Sequence, residues 1–486
     1  MSALESKPSL DDSYMLPASE SEASTSIQIE PTSAEPQKLP IRSSFEYGEE
    51  VAEDEGLLSG KGMPPWLAGQ KRARLPSVAV IASAILGAIL LLLLILALTA
   101  GYRFERPSRL RGYNPTSGND LKLSGEDLGW NISLSDEILA QRSMKERECL
   151  MAFPLNLPEI KQAVEWTKSL GGVTLSDVEH SGEIWHARLM IKDGRLFVKR
   201  FRPAYQSRCQ AVMAAIHDAI ITSLEPVPDI EFVIGLDDTA PFEPATWGLA
   251  RRLDLPAWLV IDYGFNAWPE PMIKGWHTFL ADVKSVNAQM TWRQKAKKLF
   301  WRGVYLSEYR EQLRDHTVNE SWADIAAVDW GRPEETRVSM SHHSRFAYVA
   351  ATEGGDAYSG RLKYLLSTQS TVVSHPLRWQ QHFHPALNGN ESSPDQNIAY
   401  TKDGYNDIVE TMKKLMSDPV RSEMIAKNAE KVFTRRYFSD AARSCYWRSA
   451  FRGYRSVMTF EPAYDGSEVD YESFMLMNEL EWRPHK

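Results

Sequence analysis

Hydrophobic positions divide the chain into three regimes. Residues 1–77 are rich in Ser, Glu and Pro and show no sustained apolar period; such a segment cannot bury enough surface to fold and is expected to be a disordered tail. Residues 78–100 form an unbroken run of 23 residues without a charge or a proline, long enough to cross a bilayer as a helix. It is too long and too far from the start for a cleavable signal peptide. Residues 101–133 are rich in Arg, Pro, Gly and Asn and read as a stem. Beyond them, short apolar runs alternate with stretches of helical spacing.

Helical patterning starts near Leu134, with Asp136 as its expected cap. Asp193-Gly194 stands between the apolar-alternating runs Ala187–Ile191 and Leu196–Val198, which predicts a two-residue hairpin. Cys209–Leu224 has helical spacing, and strands are expected at Ile230–Leu236, Trp258–Ile261, Lys298–Val304, Ile325–Val328, Phe346–Ala351, Thr371–Val373 and Ile398–Tyr400. Helices are expected at Tyr405–Met416, Pro419–Arg435 and Asp440–Val457. Repeated strand–helix alternation predicts an α/β fold with parallel sheets and ligands at the strand C-termini. At 486 residues, 43% of them hydrophobic, two compact lobes are expected. Their bounds are drawn at 134–290 and 291–460, with 461–486 as a C-terminal extension.

The net charge of −9 is unevenly spread, because residues 1–77 hold 13 acidic against 7 basic side chains. No basic block follows, which excludes nucleic acid as the expected partner. The three cysteines, Cys149, Cys209 and Cys445, form no metal-binding pattern.

The segment Ser341–Pro385 concentrates the chemistry. An apolar strand runs into Gly354-Gly355, a polar turn follows, and a helix-like segment opens on Arg361 before the next strand. Such a unit turns backbone N–H groups toward one spot that suits a diphosphate. Arg361 adds a bidentate cation. Ser359 and Gly360 would contribute N–H groups, and Gly354 and Gly355 would permit close approach of the ligand. An arginine at a helix start is unfavourable unless an anion faces it, which argues against an ordinary surface role.

The run SGRLKYLL, a following VV strand and Trp379…Phe383 resemble glycosyltransferase family 90. That family includes the capsule-associated xylosyltransferase-like proteins of fungi and the protein O-glucosyltransferases of animals. The resemblance continues in order through PDIEFVIGLDD (Pro228–Asp238), FWRGVYLSEYR (Phe300–Arg310) and SCYW (Ser444–Trp447), covering roughly residues 180–460. With its apolar span, the chain looks like a fungal-type, membrane-anchored member. The resemblance implies two Rossmann-like lobes facing a cleft (a GT-B arrangement) and inverting transfer of a sugar from a UDP-sugar to a hydroxyl of a glycan or protein. Xylose and glucose are the expected sugars.

On that resemblance, Asp238 is the catalytic base, although Asp237 stands where the animal enzymes have a basic residue. Both acids could instead cap the following loop. Arg310 matches an arginine that contacts the donor diphosphate; its alternative is a surface ion pair with Glu308 or Glu311. Val304, Tyr305 and Leu306 depart from the hydroxyl and basic residues of the animal enzymes, which leaves the donor's identity open. Asp262 and Trp268 fall in a loop resembling the acceptor side, where Trp268 would stack on a sugar face. The donor site is then Arg310, Gly355, Ser359, Gly360 and Arg361. His342 and His343 precede the phosphate strand and are expected to be structural. No Asp-x-Asp occurs in this region, so no metal or other cofactor is expected. The resemblance also implies a Cys149–Cys445 disulfide, with Cys209 free.

Arginines and lysines flank the apolar span equally, so charge leaves its orientation open. Sequons at Asn131, Asn319 and Asn390 and the family resemblance favour a type II protein with its catalytic part in the lumen of the Golgi or endoplasmic reticulum. A catalytically inactive, glycan-binding member is the alternative reading. A glycoside hydrolase using Asp238 and Asp262 is another, and it would need no diphosphate site.

Overall fold

The hairpin at Asp193-Gly194 joins two neighbouring strands of the first sheet. Both turn residues have positive φ, 50° and 74°, the geometry of a type I′ turn. Strands β1 (Ala187–Lys192) and β2 (Arg195–Phe201) pair antiparallel across it, Lys192 opposite Arg195. The computed structural model describes residues 134–238, 241–268, 272–329, 331–354 and 358–477. The expected tail (1–77), apolar span (78–100), stem (101–133), Gly355 and the end of the extension lie outside the described residues. Among the described residues no helix is long and apolar enough to cross a membrane.

Strand β3 (Ile230–Gly235) is wholly buried, as expected of a strand covered on both faces. Short strands β4 (Thr246–Gly248), β5 (Arg251–Arg252) and β6 (Trp258–Leu259) follow. The second sheet uses β7 (Ala296–Gly303), β8 (Ala323–Ala327), β9 (Phe346–Ala351), β10 (Thr371–Ser374) and β12 (Ala399–Tyr400). β11 (Trp379–Gln380) pairs with β5 as a separate ribbon, and β13 (Val469–Asp470) joins β2.

The second sheet, ordered β12-β10-β9-β7-β8, is parallel as expected. The first, β13-β2-β1-β3-β4-β6, is mixed, which corrects the expectation of parallel sheets. Its β13-β2-β1-β3 half is antiparallel and its β3-β4-β6 half parallel, because a two-residue turn can join only antiparallel neighbours.

Element ends also shift for local reasons. Ser135, not Asp136, caps the first helix; its Oγ accepts the N–H of Ile138 at 3.3 Å. β6 stops at Leu259, short of the expected Ile261, before the chain turns at Asp262, whose carboxylate accepts the N–H of Gly264 at 2.7 Å. The helix Pro419–Ala429 runs on as a π-helical stretch, Glu430–Tyr437.

The core gathers around the helix Asp440–Arg455, capped by Ser439. Its Trp447 stacks with Trp247, which in turn stacks with Trp258 at 5.3 Å. Arg448 of this helix donates to the carbonyls of Ala219 and Met144 at 2.9 and 3.0 Å. Cys445 is disulfide-bonded to Cys149, across a separation of 296 residues, and Cys209 is free and buried. Both features agree with the sequence reading.

Candidate active site

The segments that follow β3, β6, β7 and β9 carry the candidate residues. Arg361 caps the five-residue helix Leu362–Leu366 and is 4% exposed, so it is not an ordinary surface arginine. Its Nη1 donates to the carbonyl of Arg302, and its guanidinium lies 5.8 Å from the Trp301 ring. Gly303 makes this approach possible. A Cβ there would lie 2.5 Å from the Trp301 ring and 3.1 Å from Arg361 Nη1. Ser359 Oγ accepts the N–H of Arg361 at 3.4 Å, and Gly360 is buried beside it.

Arg310 sits in the first turn of the helix Glu308–Thr317 and is fully buried. That burial removes the alternative of a surface ion pair. Its Nη1 donates to the carbonyl of Val304 at 2.9 Å. Arg310 and Arg361 therefore converge on the turn that ends β7.

Glu353, at the end of β9, ties this region together. Its carboxylate accepts the N–H groups of Arg378 and Trp379, at 2.9 and 2.7 Å. Its own N–H donates to His375 Nε2 at 3.2 Å, and its carbonyl accepts Ser307 Oγ at 3.3 Å. Burial pushes the Glu353 carboxyl up to about 7, against the N–H groups and Arg378 that pull it down. A small recess of about 20 Å³ opens here, lined in part by Glu353, Ser359, Arg361 and Trp379.

Asp238 is buried beyond β3, and Arg208 Nη1 lies 2.8 Å from its Oδ1. Arg208 also donates to the Leu236 carbonyl at 3.1 Å, and its guanidinium packs over the rings of Tyr205 and Tyr263 at 4.5 and 5.1 Å. Asp237 turns elsewhere, its Oδ1 accepting the N–H of Asp238 at 2.6 Å. The two neighbouring acids thus divide their roles: Asp237 caps the turn, and Asp238 meets a cation. Sequence reasoning missed Arg208. The signal was present, because Arg208 is the third residue of the helix Gln206–Ile221, the unfavourable end for a cation without an anion.

Asp262 is inside the protein. Its Oδ1 lies 3.0 Å from Lys363 Nζ, with both side chains fully buried, and Tyr358 donates to its Oδ2 at 3.3 Å. Lys363 Nζ also donates to the Gly360 carbonyl at 2.7 Å. This carboxylate is engaged by the chain's own groups and braces the segment that bears Arg361. Trp268 is half-buried, its ring 4.7 Å from that of Tyr263. His343 is buried behind Arg361, its Nδ1 paired with the Met340 carbonyl. Burial, then Arg361 and His342, push its pKa down to about 3, so it is neutral. Among the described residues no group of three or more His, Cys, Asp or Glu is arranged to hold a metal ion.

Comparison with known proteins shows the family. The profile of glycosyl transferase family 90 matches residues 153–483, a stretch that contains Asp238, Arg310 and Arg361. Protein O-glucosyltransferase 1 of Bos taurus is 24% identical over 282 residues, covering 53% of this chain and 69% of that protein. The O-glucosyltransferase rumi homolog of Aedes aegypti is 23% identical over 327 residues, covering 62% and 78%. Protein O-glucosyltransferase 2 of Danio rerio is 24% identical over 280 residues, covering 52% and 53%. With most of its length matched by the family profile and its candidate residues inside that match, the chain belongs to glycosyl transferase family 90 and is a glycosyltransferase.

Proposed function

We propose that the chain transfers a sugar, xylose or glucose, from a UDP-sugar to a hydroxyl of a glycan or protein, with inversion at the anomeric carbon. The observation that carries this reading is the convergence of two buried arginines on one turn at the ends of parallel strands. Fixed guanidinium groups are suited to a diphosphate whose charge grows as it leaves. In the step itself the acceptor oxygen attacks the anomeric carbon, and the bond from that carbon to the diphosphate oxygen breaks. UDP departs with the electron pair, and the hydroxyl proton passes to Asp238. Arg208 holds the Asp238 carboxylate in place, its Nη1 2.8 Å from Oδ1. The donor site in this reading comprises Arg310, Gly355, Ser359, Gly360 and Arg361; Trp268 faces the acceptor, and Asp262 supports both sides through Lys363. Arginine would do the work of a metal.

The two sheets are consistent with a GT-B arrangement, the first serving the acceptor and the second the donor. A type II protein, anchored through residues 78–100 with its catalytic part in the Golgi or endoplasmic reticulum lumen, fits several observations. The disulfide suits an oxidising compartment, and the sequon residues Asn319 and Asn390 are exposed.

The test is a thermal-shift screen of the purified chain against UDP, GDP and a panel of UDP-sugars, followed by transfer assays with the best donor. A ligand that binds only the folded state raises Tm. A UDP-dependent rise that disappears in Arg361→Ala supports the reading. No shift with any nucleotide from folded protein would refute it.

A further inference from the structure

Away from the arginine cluster, a cavity of about 150 Å³ lies between the helices Gln206–Ile221 and Asp440–Arg455. Small side chains make the room, namely Ala211 and Ala215 on one helix and Ser444 on the other. Elsewhere the same helices bury Met213, Ile216, Phe451 and Tyr454, and packed interiors leave few voids larger than a water. This recess, open at its rim, is several times that size.

Its lining is polar but electrically balanced. At the rim Arg142 bridges the two helices, 2.9 Å from Asp218 and 3.1 Å from Asp440. Arg443 also pairs with Asp440, and Asp262 in the wall pairs with Lys363. A cation or an anion would enter against one of these pairs. A neutral molecule that both donates and accepts hydrogen bonds would not. Trp447 forms part of the wall and is almost fully buried. Asn266 and His277, exposed in the same lining, offer hydrogen-bonding groups to such a molecule.

We infer that this cavity is a binding subsite for a neutral monosaccharide or the terminal sugar of a glycan, separate from the arginine cluster, with Arg142 as its latch. The inference stands on the cavity and does not depend on the donor assignment. The cavity is also coupled to the other site by one shared element. Asp262 belongs to the cavity wall and, through Lys363 and Tyr358, to the segment that bears Arg361.

The experiment is isothermal titration of the purified chain with free glucose, xylose, galactose and mannose, with UDP titrated in parallel. At least one sugar is expected to bind saturably in the millimolar range. Ala215→Leu, which fills the cavity, is expected to weaken that binding at least tenfold and to leave UDP affinity within twofold. If Ala215→Leu does not fold, Arg142→Gln on the rim is expected to weaken it at least threefold. No saturable binding of any of the four sugars overturns the inference. So does binding that is unchanged in the folded variants, or a sugar displaced competitively by UDP.

Discussion

Arg310 and Arg361 donate to the carbonyls of Val304 and Arg302, which flank Gly303. They come from different helices, and their side chains are 51 positions apart in sequence yet fix one turn. A guanidinium held at one nitrogen by a carbonyl has a set orientation, so its remaining N–H groups do not have to be ordered when an anion arrives.

Replacing either arginine should therefore cost more than a surface charge would. Arg361→Ala and Arg310→Ala are expected to weaken UDP binding by about thirtyfold or more, the scale of a buried charge-assisted pair. Arg361→Lys should not restore it, because an ammonium cannot reproduce the fork. Titration calorimetry with UDP reads this directly, and wild-type affinity in both alanine variants would remove the two arginines from the donor site.

Gly303 is required by closeness, not by its backbone angle. A methyl group there meets the Trp301 ring at 2.5 Å and Arg361 at 3.1 Å, and neither is an exposed, yielding chain end. Gly303→Ala is expected to cost about 1–3 kcal/mol through overpacking and to weaken UDP binding as Arg361 is displaced. Chemical denaturation beside a UDP titration checks it. An unchanged midpoint would mean the turn can give way.

Asp238 and Arg208 make a different prediction, since only the carboxylate is proposed to handle the proton. Asp238→Asn keeps the shape and removes the base. Turnover is expected to fall by about 10²–10⁴, with UDP affinity within a few-fold. Arg208→Ala leaves a buried carboxylate without that cation, so it should lose stability as well as rate. If Asp238→Asn retained normal turnover, the base would have to be sought elsewhere.

The legible parts of this molecule are those written in local chemistry. Asp193-Gly194 dictates its hairpin by turn geometry alone, and the strand, glycines and Arg361 sequence marks the C-terminal end of β9 because each feature lies within twenty residues. The pairing of Asp262 with Lys363 was hidden. The two residues are 101 positions apart, and nothing local says that a loop acid will be buried against a helix from the other sheet. The same holds for β13, two residues that complete the first sheet from the far end of the chain. Arg208 is the instructive miss. It carried the signal used for Arg361, a cation at a helix start, but no glycine loop drew attention to it.

The Cys149–Cys445 bond ties the helix Glu146–Ala152 to the helix that organises the core. Removing a crosslink that closes so long a loop typically costs about 2–5 kcal/mol. Cys445→Ser is expected to lower Tm by several degrees and to leave Cys149 reactive toward alkylating reagents after partial unfolding. Cys209 should resist alkylation in the folded protein, because it is buried and burial pushes its thiol up to about 12. Rapid labelling of Cys209 under native conditions would contradict that burial.

Glu353 gives a prediction whose sign is fixed by its surroundings. Burial raises its carboxyl from an ordinary 4.5 to about 7. Between those values the folded state binds the proton more tightly than the unfolded state, so this group's contribution to stability falls as pH rises through the window. The total change is on the order of 3 kcal/mol. Glutamine has no proton to lose and is insensitive over the same range. The difference in Tm between Glu353→Gln and wild type should therefore move in favour of the variant as pH goes from 5 to 8. Most of the movement should come below about 7, because above that pH the carboxyl is ionised in the folded and unfolded states alike. Buried neutral histidines such as His375 and His384 titrate in both proteins and cancel in the difference. Thermal melts of both proteins across that range decide it. A difference that stays flat would show that the N–H groups of Arg378 and Trp379 hold Glu353 ionised throughout, and that the carboxylate clamps the strand ends independently of pH.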